Sequence, residues 1–302
     1  MIPHDIDLDG LLRRLHLPTV RRLYPELERR AEEEELSYRD FLAVLIAEEV
    51  GHRAETRIQR SVRRAHFPFL ATIEDFDFAF QTSIKLSLLG SYLGPELSSE
   101  GRAVIFCGPT GVGKTHLSIA IAYRAIQNGR EALFAEANSL IEELSEASRR
   151  GRLREAMEPY VHIDVLVIDE LGYLTYPSDA ANVLFQVVNQ RYLKKRPIVI
   201  TTNKDLDSWA RVLHDADLAE AIKDRVLARG RLIKLTGTSY RTRHLTQGNQ
   251  AAATRKAAKV SGEARPEFPE PTIHREAIDE FQAALRLSPG YRIGSSGGAR
   301  SN

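Results

Sequence analysis

One short run constrains this chain more than any other feature. Gly108-Pro-Thr-Gly-Val-Gly-Lys114-Thr115 follows a five-residue apolar stretch, Ala103–Cys107, and precedes a helix-forming stretch, Leu117–Gln127. It matches G-x-x-x-x-G-K-[ST], and strand-before, helix-after is the context in which that pattern binds phosphate. The chemistry dictates the residues. Glycines let successive backbone N–H groups curl around the phosphates, and the helix N-terminus adds partial positive charge. Lys114 is placed to reach the β- and γ-phosphates, and the Thr115 hydroxyl to ligate Mg²⁺. The expected cofactors are therefore ATP and Mg²⁺. The expected nucleotide-binding set is Gly108, Pro109, Thr110, Gly111, Val112, Gly113, Lys114, Thr115 and His116.

Four further runs have strand character: Ala132–Ala135, Val165–Ile168, Ile198–Thr202 and Leu232–Leu235. Helix-length patterns alternate with them, which predicts an α/β fold with a parallel, doubly wound sheet. Val165-Leu-Val-Ile reads as a strand buried on both faces and ends in Asp169 and Glu170. Acids at the carboxyl edge of such a sheet lie where these folds bind ligands. Side chains alternate along a strand, so the pair divides two tasks. Asp169 is expected to hold Mg²⁺ through water, and Glu170 to orient and deprotonate the attacking water. Ile198–Thr202 ends in Asn203, expected to reach the γ-phosphate or that water.

Around this core the chain divides into three. Residues 1–68 carry apolar periodicity and dense charge with no strand signal, and read as a small all-helical domain expected to bind DNA or a partner. Leu8, Leu11, Leu12 and Leu15 share one helix face, Pro18 suits a first turn, and Ser37 with Asp40 resembles a capping box. Residues 69–245 are the expected ATPase domain. Residues 246–302 read as mostly disordered, with one possible helix near 273–287. The composition, 43% hydrophobic and 27% charged, is that of an ordinary globular chain. Cys107 is the single cysteine, which excludes an internal disulfide framework. No apolar run reaches the length of a membrane span, and Met1–Gly10 lacks the apolar segment of a signal peptide. A cytoplasmic protein without a membrane partner is expected.

The chain resembles AAA+ P-loop ATPases of the helicase-loader and initiator branch, and more narrowly the IstB-like ATP-binding helpers of insertion-sequence transposition. The resemblance covers roughly residues 8–244. Its marks are Gly108–Thr115, Ile168-Asp-Glu-Leu-Gly-Tyr173, Thr201-Thr-Asn203, Asp224-Arg-Val-Leu-Ala-Arg229 and Gly237-Thr-Ser-Tyr-Arg241, with Ala65-His-Phe-Pro68 and Ile73-Glu-Asp-Phe-Asp-Phe78 upstream. It implies a homo-oligomer with ATP at the subunit interface. Arg225 matches an arginine finger acting on a neighbour's γ-phosphate, worth on the order of 10³–10⁵ in rate, with Arg229 as a competitor. Arg241 matches a sensor of the subunit's own nucleotide. It also implies duplex DNA, contacted largely without regard to sequence, and a transposase encoded by a neighbouring gene.

Net charge is +1, so any basic surface is local. Arg53, Arg57, Arg60 and Arg64 form one helical stripe, which is expected either to contact nucleic acid or to be a solvated face paired with Glu48, Glu49 and Glu55. Arg149, Arg150, Arg152 and Arg154 form a second cluster, expected to track a phosphate backbone without reading sequence. Arg255, Lys256 and Lys259 form a weaker patch. A replicative helicase loader is the nearest alternative. A P-loop small-molecule kinase would leave Glu170 and Arg225 without a task, and a switch that scarcely hydrolyses ATP would not need Glu170.

Overall fold

The five short runs form one parallel sheet in a computed structural model that describes residues 7–173 and 176–243. Three helices come first: α1 (Leu8–Arg14), α2 (Pro18–Glu33) and α3 (Tyr38–Arg64). Two short turns of helix, α4 (Gly90–Leu93) and α5 (Glu96–Ser99), lead into β1 (Ala103–Cys107) and α6 (Lys114–Gln127). Then come β2 (Ala132–Glu136), α7 (Ala137–Arg149), α8 (Leu153–His162), β3 (Val165–Leu171) and α9 (Ala180–Leu193). The described part closes with β4 (Ile198–Thr202), α10 (Trp209–Val212), α11 (Ala216–Leu227) and β5 (Gly230–Lys234).

The sheet order is β2-β3-β4-β1-β5. From β1 the chain crosses to the far edge at β2 and returns through β3 and β4, while β5 pairs on the other side of β1. The loop after β1 therefore lies where strand order reverses, the crevice in which open α/β sheets hold ligands. Strand alternation builds three layers. Val104, Phe106, Val165, Val167 and Val199 point to the face covered by α6 and by residues 65–97. Ile105, Leu166, Ile168, Ile198 and Ile200 point to the face covered by α7, α8, α9 and α11.

Three strands differ from their sequence limits, β2 by running one residue further, to Glu136. β5 starts two residues early, at Gly230. β3 runs past Ile168 to Leu171, so Asp169 and Glu170 lie inside the strand. The reason is a grip from β4. Thr201 Oγ1 accepts the Glu170 N–H at 2.9 Å, and Thr202 Oγ1 donates to the Leu171 carbonyl at 2.7 Å. Between Ile168↔Ile200 and Leu171↔Thr202 the register slips, and Glu170 sits at φ 60°. This is a bulge that re-aims one side chain.

The N-terminal helices form as expected. Ser37 Oγ accepts the Asp40 N–H at 3.2 Å and donates to its carboxylate at 2.6 Å. Leu12, Val20 and Leu45 are the buried residues of this hairpin's own core. Glu49 departs from its reading as a solvated partner. It is buried, and its carboxylate accepts the N–H groups of Thr19 (2.9 Å) and Val20 (3.2 Å) at the start of α2, besides Arg53 Nε (2.7 Å). It caps a helix whose own N-cap, Leu17, offers no side-chain acceptor. Further along α3, Ile58, Val62 and Ala65 pack on the sheet core, and the Ala65 carbonyl accepts the Phe134 N–H at 2.8 Å. No described helix is long and apolar enough to cross a membrane. The tail helix near 273–287 and the patch Arg255, Lys256 and Lys259 lie outside the described residues.

Candidate functional site

The phosphate loop is built by backbone geometry. Gly111 (φ 85°) and Gly113 (φ 95°) take left-handed conformations that favour glycine. A Cβ at Gly111 would stand 2.0 Å from Ser239 Oγ, and one at Gly113 2.5 Å from the Phe76 ring. Both positions therefore lack space as well as the right dihedral for any larger residue. α6 opens at Lys114 with its N-terminal N–H groups facing the loop.

The side chains expected to meet the nucleotide converge on one cleft of about 190 Å³. Thr110 to His116, Glu170, Asn203 and Arg241 all line it. Lys114 is buried, and its Nζ donates to the carbonyls of Gly108 (2.9 Å) and Pro109 (2.8 Å). Burial pushes its pKa down, and Asp169 opposes the shift. A buried cation held on two carbonyls gains from an anion nearby. Thr115 Oγ1 lies 3.1 and 3.0 Å from the two oxygens of Asp169, which is itself buried. One hydroxyl and one carboxylate, completed by phosphate oxygens and water, is the donor set Mg²⁺ prefers. Asp169 also accepts Thr201 Oγ1 at 2.5 Å, so Thr201 bridges Asp169 and the Glu170 backbone. Asn203 Oδ1 is buried with no hydrogen-bond partner among the described residues. An orphaned polar atom in a cleft calls for a ligand or water.

The family model described as IstB-like ATP binding protein matches residues 10–248. The chain belongs to that family. An IS5376 insertion-sequence ATP-binding protein from Geobacillus stearothermophilus is 34% identical over 230 residues, covering 76% of this chain and 91% of the relative. An IS21 insertion-sequence ATP-binding protein from Pseudomonas aeruginosa is 34% identical over 235 residues, covering 78% and 88%. Among solved structures, AMPPCP-bound DnaA from Aquifex aeolicus matches with a TM-score of 0.50 at 18% identity, covering 74% of this chain and 66% of that one. At that identity the likeness concerns the fold. It is the AAA+ P-loop fold, and the family and relatives that this chain matches are described as ATP-binding.

Other expected residues of the IstB-like chain stand away from the cleft. Arg225, near the end of α11, has its Nε 3.3 Å from Asn189 Oδ1 and its Nη1 2.6 Å from Asp224 Oδ2, and lies over the Tyr192 ring. It lines a small hollow with Gly101, Ala103 and Ile198, at the N-terminal ends of the strands. The cleft is at their C-terminal ends, so Arg225 lies at the opposite end of the sheet from it. Arg229 stacks on the same Tyr192 and donates to its carbonyl at 2.6 Å. Arg149 and Arg150 both pair with Glu146 (2.5 and 2.6 Å) at the exposed α7–α8 turn, beside Arg152 and Arg154. On α3, Arg53 pairs with Glu49 and Arg64 with Glu131 (3.1 Å), while Arg57 and Arg60 have no ion-pair partner among the described residues.

Sequence reasoning missed one wall of the cleft. Phe69, Phe76 and Phe80 come from the segment before β1, and Tyr240 from the segment after β5. Phe80 and Tyr240 meet edge to face at 5.3 Å, and the Tyr240 N–H donates to the Gly111 carbonyl at 2.9 Å. Phe76 packs against His116, whose Nε2 lies 2.8 Å from the Thr72 carbonyl. His116 thus braces this wall. The aromatic spacing in Phe69–Phe80 was the available signal.

Proposed function

We propose that this protein is an ATP-gated helper of insertion-sequence transposition that assembles on duplex DNA and recruits or stimulates a transposase. The observation that carries the ATP half is the convergence of Lys114, the Thr115–Asp169 pair, Glu170 and the unpartnered Asn203 on one cleft. The transposition half rests on relatives at 34% identity whose names place them in insertion sequences. That affiliation favours transposition over helicase loading.

In the working cycle the phosphates replace the Gly108 and Pro109 carbonyls as partners of Lys114, and the loop N–H groups bind the remaining oxygens. Thr115 and Asp169 would hold Mg²⁺, which would supply positive charge beside the phosphoryl oxygens. Glu170, aimed by its bulge, orients the attacking water and takes its proton, and Asn203 steadies that water or the γ-phosphate. Arg225 lies at the edge of the sheet opposite the cleft, which suits delivery to a neighbouring copy. The α7–α8 turn, with Arg149, Arg150, Arg152 and Arg154, is the DNA-facing element in this reading.

Three single substitutions, one mixture and one fourfold variant test it. Lys114→Ala abolishes ATP binding, while Glu170→Gln keeps binding and lowers turnover by about 10²–10⁴, the worth of a general base. Arg225→Ala keeps ATP affinity, loses turnover by about 10³, and regains part of it when mixed with Lys114→Ala. For DNA, replacing the four α7–α8 arginines by alanine flattens the salt dependence of filter binding. Undiminished turnover in Glu170→Gln would refute the base assignment. No rescue on mixing would refute the shared site, and an unchanged salt slope the DNA contact.

A further inference from the structure

At the acid pair, two residues of β3 face one residue of β4. The pairing runs to Ile168↔Ile200 and resumes at Leu171↔Thr202, so Asp169 and Glu170 share Thr201 as their neighbour across the ladder. The surplus residue is taken up at Glu170, whose φ of 60° lies in the left-handed region that residues with a Cβ seldom adopt. That conformation turns the Glu170 side chain out into the cleft while Asp169 stays buried. It is unfavourable by itself, and surrounding contacts must hold it. Thr201 is the group in place to do so. Fully buried, it accepts the Glu170 N–H at Oγ1 (2.9 Å) and donates from the same atom to Asp169 Oδ1 (2.5 Å). A hydroxyl has one proton. With the N–H on a lone pair, that proton is committed to the carboxylate and the rotor is fixed. Thr115 also reaches Asp169, but from 3.1 and 3.0 Å.

We infer that Thr201 is the positioning residue of this site: its one hydroxyl holds the Glu170 backbone in the bulge and the Asp169 carboxylate beside Thr115, and so aims both acids together. The inference rests on the roles given to Asp169 and Glu170 above. Thr201 does not line the cleft and acts only through those two neighbours. A carboxylate that serves a metal is oriented by the hydrogen bonds it accepts, and a base displaced by a fraction of an ångström loses its alignment with the water. Thr202, next along β4, provides the contrast. It is equally buried, and its Oγ1 donates to the Leu171 carbonyl (2.7 Å) and accepts the Lys204 N–H (3.1 Å), touching neither carboxylate. One threonine aims the acids and the other ties down the strand beyond them.

The test compares Thr201→Val, Thr201→Ser and Thr202→Val in the full chain. Valine keeps the branched shape and loses the hydroxyl, whereas serine keeps the hydroxyl. ATP affinity is measured in EDTA and again with Mg²⁺. In EDTA, Thr201→Val binds as wild type does, which also shows that it folds. The tightening of ATP binding by Mg²⁺ falls by about tenfold, kcat falls by about 10² at little changed KM, and the Glu170 amide exchanges faster with solvent. Thr201→Ser restores all three, and Thr202→Val keeps the Mg²⁺ effect. An unchanged Mg²⁺ effect with an unchanged Glu170 amide in Thr201→Val overturns the inference. An equal loss in Thr202→Val does the same, because it assigns the effect to loosening of β4. So does loss of ATP binding in EDTA, which makes the hydroxyl a support of the fold. Undiminished turnover in Glu170→Gln strikes only the base assignment, since the Mg²⁺ effect and the Glu170 amide in Thr201→Val still decide the role of Thr201.

Discussion

The sheet region and the N-terminal hairpin spend their apolar residues in opposite ways. Around the sheet, two large clusters of buried side chains cover both faces, and Val104, Ile105, Phe106 and Leu166 are wholly enclosed. In the hairpin only Leu12, Val20 and Leu45 form the buried core, while Leu42, Ile46 and Val50 face outward. A catalytic cleft needs side chains held within fractions of an ångström, and a packed sheet supplies that. A hairpin with a thin core and an apolar exterior is suited to contact. The difference sets a tightly packed cleft beside a lightly packed helical face within one chain.

The sharpest way to break the sheet region is at Arg191. It is fully buried on α9 and donates to the carbonyls of Tyr160 (2.6 Å), Ile163 (3.0 Å), Asp164 (2.9 Å) and Pro197. Burial pushes its pKa down to about 9. Arg191→Ala leaves those carbonyls unpaired and opens a cavity, and should cost about 3–5 kcal/mol. The expected result in thermal unfolding is loss of the whole nucleotide-binding transition. Retention of that transition within a few degrees would show that the sheet does not depend on this staple.

The hairpin should break separately and more cheaply. Leu45→Ala removes one of its three buried side chains and should cost about 2–3 kcal/mol. Hydrogen exchange should then rise across α1, α2 and the first half of α3 while ATP binding is unchanged. Loss of protection in β1 and α6 as well would mean that hairpin and sheet unfold as one unit.

The smallest effect sharpens the comparison through pH. Burial pushes Glu49 up, but the Arg53 hydrogen bond and the Val20 and Thr19 N–H groups outweigh it, so its carboxyl sits below the ordinary 4.5. A lowered carboxyl pKa stabilises the fold fully above the unfolded value, and the contribution disappears as pH falls through the folded value. The hairpin should therefore loosen below about pH 4.5 before the sheet does, by about 1 kcal/mol, the worth of a helix cap. Glu49→Gln should remove the pH dependence of exchange in α2. A dependence that survives the substitution would place the titrating group elsewhere.

Much of the site was legible because its information is local. The loop glycines, Lys114 and Thr115 are adjacent in the chain, and the dihedrals that Gly111 and Gly113 require are properties of those residues themselves. Asp169 and Glu170 were legible for the same reason, since they follow directly on the apolar run of a buried strand, although that strand continues to Leu171. Asn203 followed from the next strand.

Tertiary structure decided the rest, because it depends on pairs that no periodicity connects. Thr201 looked like one more strand residue until β4 paired with β3 and its hydroxyl joined Asp169 to Glu170. Phe80 and Tyr240 form one wall only because β5 docks beside β1 and returns the chain to the phosphate loop. Glu49 read as a surface acid, yet the fold of the hairpin buries it against the bare start of α2. The stripe Leu42–Ile46–Val50 could equally have been core, since spacing places side chains on a common face without saying what that face meets. Folding placed Leu45 inward and left that stripe outside, because the first half of α3 has a helix on one side only.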